Sequence, residues 1–512
     1  MRPSPTLTAR RRSRSRCCYG AGMSRAAILV SSSQLLDPHP LLAALPAAEV
    51  VAFEDPLLVA DPAFDPGWSD PVLAWRRAAL EAWLAGDQLA GRSVTAIRVG
   101  DAATCRSELA AAGARAEEQL GKVVARLGEL HVLDPCDDWR EQRLARHVQA
   151  GGCRLVTHPT PGFLLSREDA IADLGTGRPR MASFYRRQRI RHDILLGEDG
   201  EPVGGRWSFD EDNRKRLPRA LARELPPWPW PAPPDGDGSG QVAFPTTHVA
   251  ARRWLDAFVA ERLERFGPYE DAMHAGQPLL FHAAITPMLN HGLLTPRQVL
   301  DAVMARADDA PLQSVEGFVR QLIGWREYVR ATYAAHGRRL RSGNAWQHHG
   351  SLPRGLAGGT TGLAPVDDVM QRVRELGWCH HIERLMVLGN YLFLTETHPD
   401  EAYRFFMASF TDALDWVMVP NVYGMSQDAA GGLMTTKPYF SGASYIRRMG
   451  SFPRGEWEEL WTSLYWRFII RHSDELAGNA RWAMPCRTAA RFDAATRDAH
   501  LRRAEAHIEA CR

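Results

Sequence analysis

The strongest constraint on this chain's fold is a change of hydrophobic period part-way along it. Short apolar runs, AAILV (26–30), EVVAF (49–53), SVTAIRV (93–99) and HVL (131–133), alternate with helical patterns at DPVLAWRRAALEAWLA (70–85) and near 105–128. Strands that alternate with helices predict a parallel α/β sheet. From about residue 248 to the end, apolar residues recur at three- and four-residue steps, with Pro, Gly and Asn at the breaks, which predicts helices throughout. Between these regions lies a connector containing SFYRRQRIRHDILL, GGRWSFDEDNRKRLPR and the Pro/Gly-rich PPWPWPAPPDGDGSGQ (226–241), an expected exposed loop. The predicted organisation is an N-terminal extension (1–22), a Rossmann-like α/β domain (23–135), an interdomain linker (136–247) and a large all-α domain (248–512).

Charge narrows the function classes. Lys and Arg number 62 against 60 Asp and Glu, so a nucleic-acid site has to be a local patch. No apolar run approaches the ~18 residues of a membrane span, so no membrane partner is expected. None of the eight cysteines forms a C-x-x-C pair, which argues against a zinc ribbon or a disulfide framework and fits a reducing cytoplasm. No metal site is expected. The acid-free, Arg/Ser-rich first 22 residues read as an upstream extension or a misassigned start. No G-x-G-x-x-G follows the first apolar run, so the usual dinucleotide fingerprint is absent.

The segment GWCHHIERLMVLGNY (377–391) places His380 and His381 at the start of an apolar helix. Neighbours on a helix point about 100° apart, so the two rings serve different contacts. Spacing alone fits a pair of hydrogen-bonded helix-start histidines. In FHAAITPMLNHGLLTP (281–296), Thr286 and Pro287 read as an N-cap and first turn, or as a helix start that binds phosphate.

Taken in order, FYRRQR, GGRWSFDEDNR, TPMLNHGLLTP, SVEGFVRQLIGWREYV, HHIERLMVLGN and VPNVYGM…KPY resemble the photolyase/cryptochrome superfamily. The motifs are near the wording of its bacterial branch, which includes prokaryotic (6-4) photolyases and iron–sulfur cryptochromes. The resemblance covers most of the chain. It implies an α/β antenna domain, a linker and a helical FAD domain. It also implies that His380 and His381 lie at the floor of the flavin pocket as lesion-contacting, proton-transferring residues, a role an imidazole suits near neutral pH. The implied cofactor-binding residues are Tyr269, Asp271, Thr286, Asn290, Gln321, Arg326, Asn390, Asp412, Met418 and Asn421. Lys437 and Tyr439 are expected at the cavity mouth. Arg186 and Arg187, in a run with Arg189 and Arg191, are expected to meet DNA phosphates, or else to form a solvated helix face.

The sequence departs from the family in three places. Where relatives hold a [4Fe–4S] cluster on four cysteines, the aligned residues are Pro365, Pro453, Glu456 and Glu459, so no cluster is expected. Trp461 and neighbours on the helix after RGEWEELW are expected to fill its space. Ala357, Phe405 and Phe406 stand where relatives carry oxidisable Trp or Tyr, leaving Trp325, Trp378 and Trp416 for another electron route. Met418, which cannot donate a proton, stands near the flavin N5 position. At the antenna site Glu54 is kept, but Ser32-Ser33-Gln34-Leu35 replaces the usual Gly-Asp-Gln-Leu, which weakens the case for a ribolumazine-like second chromophore.

The function implied is repair of UV-damaged DNA, of (6-4) type, by a monomer that uses blue light and reduced FAD on a flipped-out lesion. A cryptochrome-like photoreceptor without repair is the alternative. A flavin-free interaction or nucleic-acid-binding protein on the same scaffold is a third reading.

Overall fold

Five parallel strands form one sheet in the order β3-β2-β1-β4-β5. Strand β1 (Ala26–Ser31) pairs with β2 (Glu49–Phe53) and β4 (Glu129–Leu133), while β3 (Val94–Ile97) and β5 (Arg154–His158) are the edges. The computed structural model describes residues 25–59, 70–100, 106–225, 243–435 and 437–512; the extension 1–22 and the loop 226–241 lie outside the described residues. The central strands are buried almost throughout, as a sheet covered on both faces requires. The fifth strand lies beyond residue 135, where the sequence pattern ended the α/β region. Its polar, half-exposed residues suit an edge strand and give no apolar run.

One face of the sheet packs on the helices Leu109–Val124 and Asp138–Gly151. The other sends Ile28, Val30, Val50 and Ala52 into a core shared with the helices Asp70–Leu84, His248–Glu261, Thr286–His291, Pro296–Met304 and Leu312–Val319. The two halves of the molecule therefore meet through a continuous apolar interior. Trp75 fixes the seam, its indole N–H donating to Phe244 O and Pro245 O, each at 3.1 Å.

A second, larger core gathers the helices from Glu327 onward. Phe163, Leu165, Ala170, Leu174 and Phe184, from the stretch expected as a linker, are packed into it, so that stretch is docked on the helical body. Three helices widen into π-helical turns, at Arg320–Arg326, Arg384–Gly389 and Val422–Ser426. Such turns recur at functional sites. The last two approach closely at Gly389, where a Cβ would stand 2.9 Å from Ser426 Cβ.

At the positions implied for cluster cysteines, Pro365 is buried, while Pro453, Glu456 and Glu459 are exposed. Glu459 pairs with Arg503 at 3.0 Å. The helix Trp457–Arg471 buries Trp457, Trp461, Leu464 and Phe468. Beside it Phe440 lies flat on Trp482, centroids 4.0 Å apart. Among the described residues no helix is long and apolar enough to cross a membrane.

Candidate functional site

His380 and His381 take different roles in space, although only His381 is helical: His380 is the extended N-cap residue before it (φ -76°, ψ 165°), so the helical offset expected from the sequence does not apply. His380 is buried, and its Nε2 stands 3.4 Å from Glu383 Oε2. Burial, only partly countered by Glu383, lowers its pKa and favours the neutral ring. His381 is crowded by the fold yet 47% exposed, which places it on the wall of a concavity, with Nε2 3.6 Å from Asp271 Oδ1. Burial opposes its charge, but Asp271 and Glu270 outweigh that and raise its pKa. A third ring completes the cluster. His282 stacks on His380 at 4.4 Å and meets His381 edge-on at 5.4 Å. Burial and the neighbouring His380 and His381 push its pKa well down. Leu280 and Ala284, non-glycine residues in the left-handed region (φ 46° and 50°), bracket His282.

Next to the histidines lies a buried polar network. Thr286 Oγ1 donates to Asp412 Oδ2 at 2.5 Å and accepts from Trp378 Nε1 at 3.2 Å. Asn290 Nδ2 donates to Asp412 O at 2.7 Å. Arg384 binds both Asp412 carboxylate oxygens, at 2.8 and 3.0 Å, and reaches back to Cys379 O at 2.8 Å. Thr286 is not the N-cap that its spacing suggested. Ile285 holds that position, and the Thr286 hydroxyl is drawn to Asp412 instead.

Arg326 closes the network, donating to Asn290 Oδ1 and, at 3.1 Å, to Gly162 O. Its guanidinium packs against both the Phe163 and Trp416 rings, 4.9 and 4.8 Å from their centroids, and its Nε has no partner. Burial lowers its pKa to about 10. A buried cation bonded only to neutral acceptors is costly, and it suits a bidentate anion such as a diphosphate. On that ground the residues fit a dinucleotide cofactor.

The other expected residues fall into two sets. Gln321 donates to Glu270, which also accepts from Asn213 at 3.2 Å and Arg320 at 3.3 Å, so Gln321 adjoins Asp271. Tyr269 packs on Phe281 at 5.6 Å. Lys437 lies over the Tyr439 ring at 5.3 Å. Burial and nearby Arg481 and Arg214 lower the Lys437 pKa, marking a cationic rim. Tyr445 senses Asp271, Arg448 and Arg214, so that rim borders the histidine concavity. Asn390 uses its amide on Met386 O and on Ser441, Met418 is buried, and Asn421 donates to Val417 O at 2.8 Å. Arg186 stacks on Trp207 and Arg187 is bonded to Asp173 O, while Arg189 is buried, so that run is largely occupied with its own hairpin.

A family described as "Deoxyribodipyrimidine photo-lyase-related protein" matches residues 29–236. A (6-4) photolyase of Agrobacterium fabrum is 36% identical over 338 residues, 61% of this chain and 66% of that protein. The chain belongs to the photolyase/cryptochrome superfamily. Its fold is that of two solved structures. A cryptochrome from Synechocystis aligns with 95% of this chain and 99% of its own (TM-score 0.57, 14% identity). A class III photolyase from Agrobacterium tumefaciens aligns with 97% and 99% (TM-score 0.56, 15% identity).

In this superfamily member the crevice where strand order reverses, between β1 and β4, is the expected ligand position of an open α/β sheet. Here Arg140 reaches into that region, donating to Ser33 Oγ at 2.7 Å and Asp55 Oδ2 at 2.6 Å. A cavity of about 410 Å³ lies beside it, lined among others by Asp137, Glu141, Arg167, Arg330 and Tyr333. His282 is the site residue that sequence reasoning missed. Its only signal was its place in the FHAAITPMLN stretch four residues before Thr286.

Proposed function

We propose that this chain is an FAD-dependent, blue-light-driven lyase that repairs UV-damaged DNA, with (6-4) photoproducts as substrate. The observation that carries the reading is the divided histidine pair: His380 buried and neutral beside Glu383, His381 on the concavity wall beside Asp271. Arg326, Asn290 and Thr286 would hold the cofactor's diphosphate side, and Asp412 would meet the ring. When bound, FAD supplies a light-excitable one-electron donor. A base extruded from the duplex enters the concavity at a cost of a few kcal/mol, less for a damaged one. Lys437, Arg214 and Arg481 attract the phosphates at the rim. Tyr439 offers an aromatic face to a base. His381 then holds a proton at Nε2 toward Asp271 or delivers one to the lesion, while His380 and His282 fix its orientation.

A photoreceptor without repair is the second reading, favoured by Phe405 and Phe406. Both are fully packed beside Phe410 and offer no oxidisable ring. Assays with defined (6-4) and cyclobutane lesions separate the two. The flavin-loaded, reduced protein should convert the (6-4) lesion in light. His381→Ala should abolish conversion and keep the flavin spectrum. Light-dependent flavin changes with no turnover of either lesion would establish the photoreceptor reading instead.

A further inference from the structure

Proton transfer to a lesion needs one or two histidines; the structure supplies three and leaves a buried nitrogen on two of them without a partner. His282 Nε2 and His380 Nδ1 lack hydrogen-bond partners, although both side chains are more than nine-tenths buried. A buried nitrogen left without a partner is destabilising unless a ligand satisfies it. Leu280 and Ala284, on either side of His282, both hold the left-handed backbone that non-glycine residues rarely adopt. One nitrogen from each of His282, His380 and His381 lies within 4.8 Å of the others. Carboxylates stand beside two of the rings, Asp271 3.6 Å from His381 Nε2 and Glu383 3.4 Å from His380 Nε2. Histidines backed by carboxylates are the arrangement that orients imidazole ligands toward a metal.

We propose that His282, His380 and His381 bind a single zinc-class divalent ion, with water as fourth ligand, and that this ion switches off the proton exchange at the same rings. Zn²⁺ takes imidazole in tetrahedral coordination, whereas Mg²⁺ prefers oxygen donors. Metal–nitrogen bonds of about 2.0–2.1 Å bring ligand nitrogens to roughly 3.4 Å from one another. The cluster must therefore close by about 1 Å or a little more, and His381, on the open side, has room to swing. The open side is also the entry path. This site revises the expectation that the chain has none for metal. The regulatory half rests on the proposed repair reading; the binding half does not.

The test uses the full-length, flavin-loaded protein titrated with Zn²⁺ by calorimetry and with Co²⁺ by visible absorption. One Zn²⁺ per chain, tetrahedral Co²⁺ bands and no response to Mg²⁺ are expected. His381→Ala, at the accessible ring, should weaken binding on the order of 100-fold, and Asp271→Asn about tenfold. His282→Gln should match His381→Ala, and the flavin spectrum reports whether each variant is folded. Absence of binding, or equal affinity in wild type and His381→Ala, overturns the site. Light-driven lesion conversion should fall to background with zinc and return with a chelator; conversion unaffected by bound zinc overturns the switch. If binding follows the histidines but the metal-free protein converts no lesion, the metal site stands and the repair reading falls.

Discussion

Arg326 and Asn290 are joined by a buried hydrogen bond from guanidinium to amide oxygen, and no carboxylate shares that charge directly. Such an arrangement trades stability for anion binding. Replacing Arg326 by Met should leave the flavin-free protein as stable as wild type or more so, by about 1 kcal/mol. The same change should weaken flavin retention at least tenfold, about 1.4 kcal/mol. Thermal unfolding with and without added FAD measures both. Equal destabilisation of the two forms would make Arg326 a structural residue.

Asp137 gives a pH signature. Its carboxyl caps the helix Asp138–Gly151, accepting from Arg140 N at 3.0 Å. Burial and the nearby Asp415 push its pKa up to about 7, against the pull of Arg140. Asp415 itself is held by Tyr333, Tyr403 and Arg341. Because the folded pKa is raised, the folded state binds the extra proton. The contribution is full below the unfolded value near 3.9 and is lost as pH rises through 7. Between pH 6 and 8 the wild type should lose about 1 kcal/mol relative to Asp137→Asn, which keeps the cap and carries no charge. Urea unfolding at the two pH values checks the slope.

Glu383 ties the histidine floor to the helix Ala364–Leu376. Arg372 binds its two carboxylate oxygens, at 2.7 and 3.1 Å, and both residues are buried. Burial alone would raise the Glu383 pKa, but Arg372 and His380 outweigh it and hold it at about 2. Glu383→Ala should cost about 3–5 kcal/mol, since it strands Arg372 with Asp368 alone. The carboxylate's contribution is present above about 4.3 and lost as pH falls through 2, so the wild type's advantage should shrink on acidification. Denaturation of the pair of proteins at neutral and acid pH measures it.

Sequence made visible those features whose cause is local. AAILV and EVVAF stood out because both strands are buried on two faces; β5 did not, because an edge strand needs no apolar run. His380 and His381 were legible as neighbours, but they diverge because His380 is the extended residue before the helix that His381 opens, not through a helical offset. His282 was not, because it meets His380 through tertiary packing and through two left-handed residues that no period reveals. Thr286 was assigned to a cap by its Pro287 neighbour, whereas Asp412, far along the chain, captures its hydroxyl. Arg189 read as part of a solvent-facing run, yet it turns inward to the carbonyls of Ile194, Leu195 and Trp207.

Trp461 carries the last prediction, that aromatic packing does the work a cluster does in the relatives implied by the sequence. It is fully buried, edge-on to Trp457 at 6.3 Å, and its indole N–H donates to Ser441 O at 3.0 Å. Ser441 N in turn donates to Asn390 Oδ1 at 3.2 Å. Trp461 therefore links the helix Trp457–Arg471 to the segment bearing Lys437 and Tyr439, and through Asn390 to the helix that follows the histidine pair. Trp461→Ala should cost about 3–5 kcal/mol from the cavity alone. Trp461→Phe should cost only about 1 kcal/mol, because Ser441 O keeps its bond from Asn390 Nδ2. Denaturant unfolding ranks the two, and metal analysis of anaerobically prepared protein should find no iron. A loss below about 1 kcal/mol for Trp461→Ala, or stoichiometric iron, would show that something other than this packing holds the C-terminal helices together.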